Sequence, residues 1–231
     1  MREKYFFRKE KTTNLKKAKV YENRLKQSIF FMFTVNGSYM LSLCCMYMFK
    51  EGIITQAIFV RTLFVYITIT GLLGILYLPY SPIHFGLNTN RWRWNLKWGL
   101  QIGIFTTVLS LLFRFYLVAS GRVDYRFQFS PGWDFYTYPI SVFSQELVIR
   151  GYLQSYFVGL FSTSQYKRTI AILFSSMIFG VLHLMYGFLV AFMAYVFSIL
   201  LGFFYEKTRS ILGVCIIHFC TGISLFFFSY I

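Results

Sequence analysis

The chain has 231 residues, 57% of them hydrophobic and only 13% charged, with mean hydropathy +0.56. Soluble domains carry about 25% charged residues, so this composition excludes a soluble class and predicts an all-α, polytopic membrane protein. The net charge of +15 gathers in the first 28 residues and in short loops beside apolar runs, which is the positive-inside pattern and not a nucleic-acid surface.

Residues 1–28 read as a basic cytoplasmic arm, helical from Thr13 onward, that anionic lipid would attract. No cleavable signal is expected, because this stretch is too long and polar for the usual leading region of one. The domain that follows, 29–231, divides into about seven spans near the length a helix needs to cross a bilayer. They are expected at 29–49, 57–79, 98–118, 136–160, 169–185, 188–205 and 210–230. The second ends before Pro79 and the turn-like Ser81-Pro82.

Lys and Arg set the expected orientation. Arg91, Arg93 and Lys97 follow the second span, Lys167 and Arg168 the fourth, and Lys207 and Arg209 the sixth. With the amino terminus inside, all three groups are cytoplasmic and the carboxyl terminus is outside. The 119–135 segment is the exception, with Arg122 and Arg126 outside beside Asp124 and Asp134. Trp92, Trp94 and Trp98 alternate with Arg91, Arg93 and Lys97. That mixture suits an interfacial helix or loop at the headgroup level, or a gate over a lateral substrate entrance.

Ionisable residues inside apolar runs are the sharpest signal. Glu146 and Arg150 lie four residues apart in SVFSQELVIRGYLQ, so on a helix they share a face and would pair. Gln145 turns about 100° away from Glu146 and can face a cavity while Glu146 braces the wall. His183 follows Phe179-Gly180-Val181-Leu182 near the end of the fifth span, and His218 lies within the seventh. Arg61, near the start of the second span, can snorkel to the interface. Two histidines and an acid on three helices can activate water and stabilise a developing oxyanion. The same set could instead hold zinc, but no HExxH spacing occurs and no cofactor is expected. Cys44, Cys45, Cys215 and Cys220 lack thiolate-site spacing and read as small buried hydrophobes. His84 falls in a polar loop without expected chemistry. No GxSxG turn supports a serine nucleophile.

These stretches resemble the CPBP family, the CAAX-protease and bacteriocin-processing intramembrane proteases also called Abi. The family's Glu-Glu-x-x-x-Arg, followed by Gly, reads here as Gln145-Glu146-x-x-x-Arg150-Gly151. Its Phe-x-x-x-His reads as Phe179 to His183, and its His-x-x-x-Asn as His218 to Gly222. The approach FYEKTRSILGVCIIH is similar too. The resemblance covers roughly residues 80–231, is greatest in 139–222, and marks 136–231 as the motif-bearing core. It implies a conical helical bundle with a water-filled cavity. There the first glutamate and the His183 position would activate water, and the His218 position with an asparagine would hold the oxyanion. The second glutamate, here Glu146, would support the site with Arg150.

Two departures stand out. Gln145 replaces the family's general base, and a neutral amide cannot take up a proton near neutral pH. Gly222 replaces the asparagine. An engineered change accounts most directly for Gln145; a natural pseudoprotease and an enzyme using Glu146 as base are the alternatives. The expected function is bacterial, multi-pass membrane endopeptidase activity on a membrane-associated peptide, in peptide maturation, quorum signalling or bacteriocin-related processing. An inactive pseudoprotease that binds such a peptide or a protein partner is the competing reading. A small transporter is a third class that no inverted repeat supports.

Overall fold

The computed structural model describes residues 2–121, 125–127, 132–224 and 228–230, with side chains for 18–121 and 132–224. Seven helices run through the described residues. They are α1 (Arg2–Lys50), α2 (Gln56–Tyr77), α3 (Trp92–Ala119), α4 (residues 133–160), α5 (Lys167–Val181), α6 (Phe188–Thr208) and α7 (Ile211–Ile223). Helix α4 is α-helical over Trp133–Glu146, π-helical over Leu147–Gln154 and α-helical again over Ser155–Leu160. The all-α expectation holds but for two three-residue strands, β1 (Tyr125–Phe127) and β2 (Phe228–Tyr230), which pair antiparallel.

Four helical stretches are long and apolar enough to cross a membrane: Ala18–Lys50, Gln56–Tyr77, Trp92–Ala119 and Phe188–Thr208. Their outward faces are apolar. Ile104, Phe105, Val108, Leu109 and Leu112 of α3 are all exposed, as a lipid-facing surface requires. The chain is a membrane protein.

Several boundaries differ from the sequence expectation. Helix α1 starts at Arg2, not Thr13, and passes without a break from the basic stretch into the apolar one. Lys and Arg are good helix formers, so polarity alone marks no helix end. Helix α3 starts at Trp92, and Trp94 packs against Phe204 with ring centroids 5.1 Å apart. From Trp92 onward the Trp-rich segment therefore forms the first turns of α3. Helix α5 stops at Val181, and a 3-10 turn over Leu184–Tyr186 takes His183 out of the helix. Helix α7 ends at Ile223, short of the expected 230. Cys44 is exposed while Cys45 is buried, because neighbours on a helix point about 100° apart. Arg61 does not merely reach for the interface. Its Nε lies 3.0 Å from Asp134 Oδ1, tying α2 to the start of α4. The side chains of Arg122, Asp124 and Arg126 lie outside the described residues.

Small residues set the helix contacts, as they do where lipid removes the hydrophobic drive to associate. Helix α3 lies along α7, where Gly99 faces the Gly213 carbonyl and Gly103 faces Cys220. Hydroxyls then bridge the pair: Thr106 to Thr221 at 2.6 Å, Thr107 to the Cys220 carbonyl at 2.6 Å, and Ser110 to Ser224 at 2.8 Å. The core gathers Leu147, Val148, Ile149 and Leu153 of α4 with Phe85, Tyr205, Val214 and Ile217.

The basic loops meet at one end of the bundle. Asn88 Nδ2 donates to the Arg209 carbonyl at 2.7 Å, and Ser210 Oγ donates to the Asn88 carbonyl at 3.0 Å. Arg209 turns α6 into α7 in the left-handed region, at φ 52°. Arg168 and Arg209 both approach the Glu206 carboxylate, at 3.7 and 3.3 Å. The Tyr152 hydroxyl donates to the Gln27 carbonyl at 2.9 Å, which brings the end of the basic arm to the same side.

Candidate active site

Helix α4 carries the polar line of the site. Glu146, Arg150 and Gln154 follow at four-residue intervals, all fully buried. The π-helical stretch begins directly after Glu146 and contains Arg150 and Gln154. Such i→i+5 stretches recur at functional sites because they shift side chains relative to a regular α-helix. Gly202 of α6 makes room for the arginine: a Cβ there would lie 3.2 Å from Arg150 Nη1 and 2.7 Å from Ile172 Cγ2.

Every polar group of Arg150 finds a partner. Its Nε donates to Glu146 Oε2 at 3.3 Å. Its Nη1 donates to Gln154 Oε1 at 3.3 Å and to Ser176 Oγ at 3.5 Å. Its Nη2 donates to the Ser198 carbonyl at 2.7 Å and also to Ser198 Oγ. Gln154 Nε2 in turn donates to Glu206 Oε1 at 2.9 Å. The polar chain thus runs from mid-helix to the basic end of the bundle. Burying a guanidinium is costly, and only such complete satisfaction offsets the lost hydration.

The other oxygen of Glu146 fixes a histidine. Oε1 lies 2.7 Å from His218 Nδ1 on α7. A carboxylate only accepts, so Nδ1 carries the proton. Glu146 has no exposed surface, and its two oxygens serve Arg150 and His218. The carboxylate therefore holds an imidazole in place and is not presented to a substrate. His218 itself is 7% exposed.

His183 is held similarly by different means. Its Nδ1 lies 2.8 Å from the Phe179 carbonyl, one turn back on α5. A carbonyl only accepts, so Nδ1 is again the protonated nitrogen, and Nε2 of the neutral ring is an acceptor. Phe179 stands between the two imidazoles, with ring centroids 4.4 Å from His183 and 5.7 Å from His218. Phe197 and Tyr138 also reach His218, at 5.9 and 6.4 Å, both edge-on.

The sequence candidates therefore divide. Glu146, Arg150 and His218 meet directly. His183 joins them across Phe179. Gln145 is half-buried one position from Glu146, and its Nε2 donates to Ser141 Oγ at 2.9 Å. Among the described residues no hydrogen bond joins Gln145 to either histidine. Gly222 lies one turn beyond His218, and Tyr138 fills the space beside it. Sequence reasoning missed Ser198, Ser176 and Tyr138, which lie far from the motifs in sequence or carry no charge. Gln154 was legible as the next member of the 146, 150 series. His84 bonds locally to Ser81, at 3.0 Å, away from these groups.

A metal fits this arrangement poorly. Among the described residues no three His, Cys, Asp or Glu side chains gather to hold an ion. Glu146 is committed to Arg150 and His218, so the zinc alternative lacks its carboxylate ligand.

Residues 129–224 match the family model described as type II CAAX prenyl endopeptidase Rce1-like. The match runs across α4 to α7 and contains Gln145, Glu146, Arg150, His183 and His218. It agrees with the protease family that the three motifs resemble. No curated protein and no solved structure matches the chain.

Proposed function

We propose that this protein has the framework of an intramembrane endopeptidase that hydrolyses a peptide bond in a membrane-associated peptide. The observation that carries the reading is the Glu146 carboxylate shared between Arg150 and His218 Nδ1 in a fully buried setting. A structural ion pair alone needs no imidazole at 2.7 Å. An imidazolium at His218 that donates Nδ1–H to Glu146 would present its Nε2–H to an oxyanion. The family match across this same segment supports protease chemistry over transport.

In this reading His183 Nε2 accepts a proton from water. The water oxygen attacks the carbonyl carbon, and the carbonyl oxygen becomes an oxyanion held by His218. Collapse of the tetrahedral species breaks the C–N bond, and the proton taken from water passes to the leaving amine. A glutamate at position 145 would supply a second proton acceptor, while Gln145 offers only its Oε1 to orient the water. Glu146 and Arg150 position His218 and take no proton. The basic arm and the three basic loops at one end support a cytoplasmic amino terminus in contact with anionic lipid.

Gln145 favours a second reading, in which the chain binds a membrane peptide without cutting it. One experiment separates the two. The chain and its Gln145→Glu form are placed in liposomes with an internally quenched CAAX-type peptide, farnesylated or unmodified. Gln145→Glu should cleave faster by about 10²–10⁴-fold, the usual worth of a positioned base. Binding of the peptide by both forms, with cleavage by neither, would instead establish the pseudoprotease.

A further inference from the structure

Gly222 follows His218 by one helical turn on α7, so the two positions share a face. A Cβ built on Gly222 would overlap the Tyr138 hydroxyl. The phenol oxygen of Tyr138 therefore occupies the space in which any side chain at 222 would begin. Its ring stands edge-on to His218, with centroids 6.4 Å apart, and 5.8 Å from Phe219. Tyr138 lies two turns before Glu146 on α4, and its hydroxyl meets α7 at Gly222, one turn beyond His218. Tyr138 and Gly222 are both only partly buried. A phenol O–H is a donor with no charge to desolvate, which suits a developing negative oxygen in an apolar setting.

We propose that the Tyr138 hydroxyl is an oxyanion donor, acting with His218, and that Gly222 is the gap that admits it. The proposal rests on the hydrolase reading. A side chain at 222 and the Tyr138 ring exclude each other, so the site has one neutral donor at this place, delivered from α4 instead of α7. Tyr138 is then a catalytic residue: its O–H bonds to the carbonyl oxygen as the C=O bond becomes a C–O⁻ single bond, and releases it when the carbonyl re-forms. No proton is transferred from the phenol.

The test uses the full chain in liposomes with the farnesylated quenched peptide, all variants carrying Gln145→Glu. Tyr138→Phe should lower kcat by about 10²–10³-fold, the usual effect of removing one oxyanion donor. KM should stay within about twofold, since the bond is made in the transition state and not in the ground state. A ring that only filled space would leave kcat unchanged in Tyr138→Phe, and kcat within about twofold of the parent overturns the proposal. The second arm exchanges the partners. Tyr138→Ala with Gly222→Asn should recover at least about tenfold in kcat over Tyr138→Ala alone, because an amide then stands where the phenol did. No recovery counts against the shared place. If the Gln145→Glu parent itself cleaves nothing, the hydrolase reading fails and the donor role fails with it. An active parent indifferent to Tyr138→Phe sinks the donor role alone.

Discussion

Arg150 is both costly to bury and tightly constrained. Its guanidinium has no exposed surface, and five groups on three helices satisfy it: Glu146 and Gln154 on α4, Ser176 on α5, and Ser198 through both carbonyl and hydroxyl on α6. Arg150→Met would leave the Glu146 charge buried beside only His218. Removing one partner of a buried pair costs about 3–5 kcal/mol, so this variant should lose that much stability in detergent-based unfolding. Glu146→Gln keeps the shape but removes the carboxylate that accepts the His218 Nδ1–H and fixes the ring. In a Gln145→Glu background it should lower kcat by about 10²-fold or more while substrate affinity is retained, measured by separate kcat and KM determinations. Equal activity would show that the carboxylate has no bearing on the oxyanion.

At the scale of elements, α4 owes its place to its irregular middle. The π-helical stretch runs from Leu147 to Gln154, and Gly151 within it lies so close to the Phe85 carbonyl that a Cβ would come within 2.5 Å of the oxygen. Gly151→Ala must push the 3-10 turn at Pro82–Phe85 away from α4 and should cost about 1–3 kcal/mol by overpacking. Gly159, near the end of the same helix, has nothing within 4 Å of a Cβ. Gly159→Ala should therefore stabilise by up to about 1 kcal/mol through helix propensity alone. Thermal unfolding of the two variants side by side checks the pair, and equal effects would contradict the close approach at Gly151. The end of α5 matters in another way. Because the helix stops at Val181, His183 falls on a turn, yet its Nδ1 still reaches back to the Phe179 carbonyl and fixes the ring.

For the whole molecule, an odd number of helices places the two ends of the described chain on opposite faces if each crosses. The basic loops at Asn88–Arg93, Lys167–Arg168 and Lys207–Arg209 converge through Asn88, Glu206, Arg209 and Ser210. Concentrating positive charge at one end predicts that this end is cytoplasmic. Reporter fusions at the amino terminus and after residue 231 should report the cytoplasm and the opposite side respectively. The same compartment for both would mean that one helix does not cross.

The membrane class, the seven helices and the identity of the ionisable groups that had to be satisfied can be read from local stretches of the chain. Apolar run length and charge placement are local properties, and lipid leaves a chain few other ways to pair its backbone. The Glu146–Arg150 pair was legible for the same reason, since i and i+4 meet on any helix. It took helix packing to bring Glu146 to His218, Ser198 and Ser176 to the guanidinium, and the Tyr138 hydroxyl to Gly222. Those contacts join residues that are far apart along the chain. Their partners are set by how closely small residues let helices approach, which no local pattern encodes.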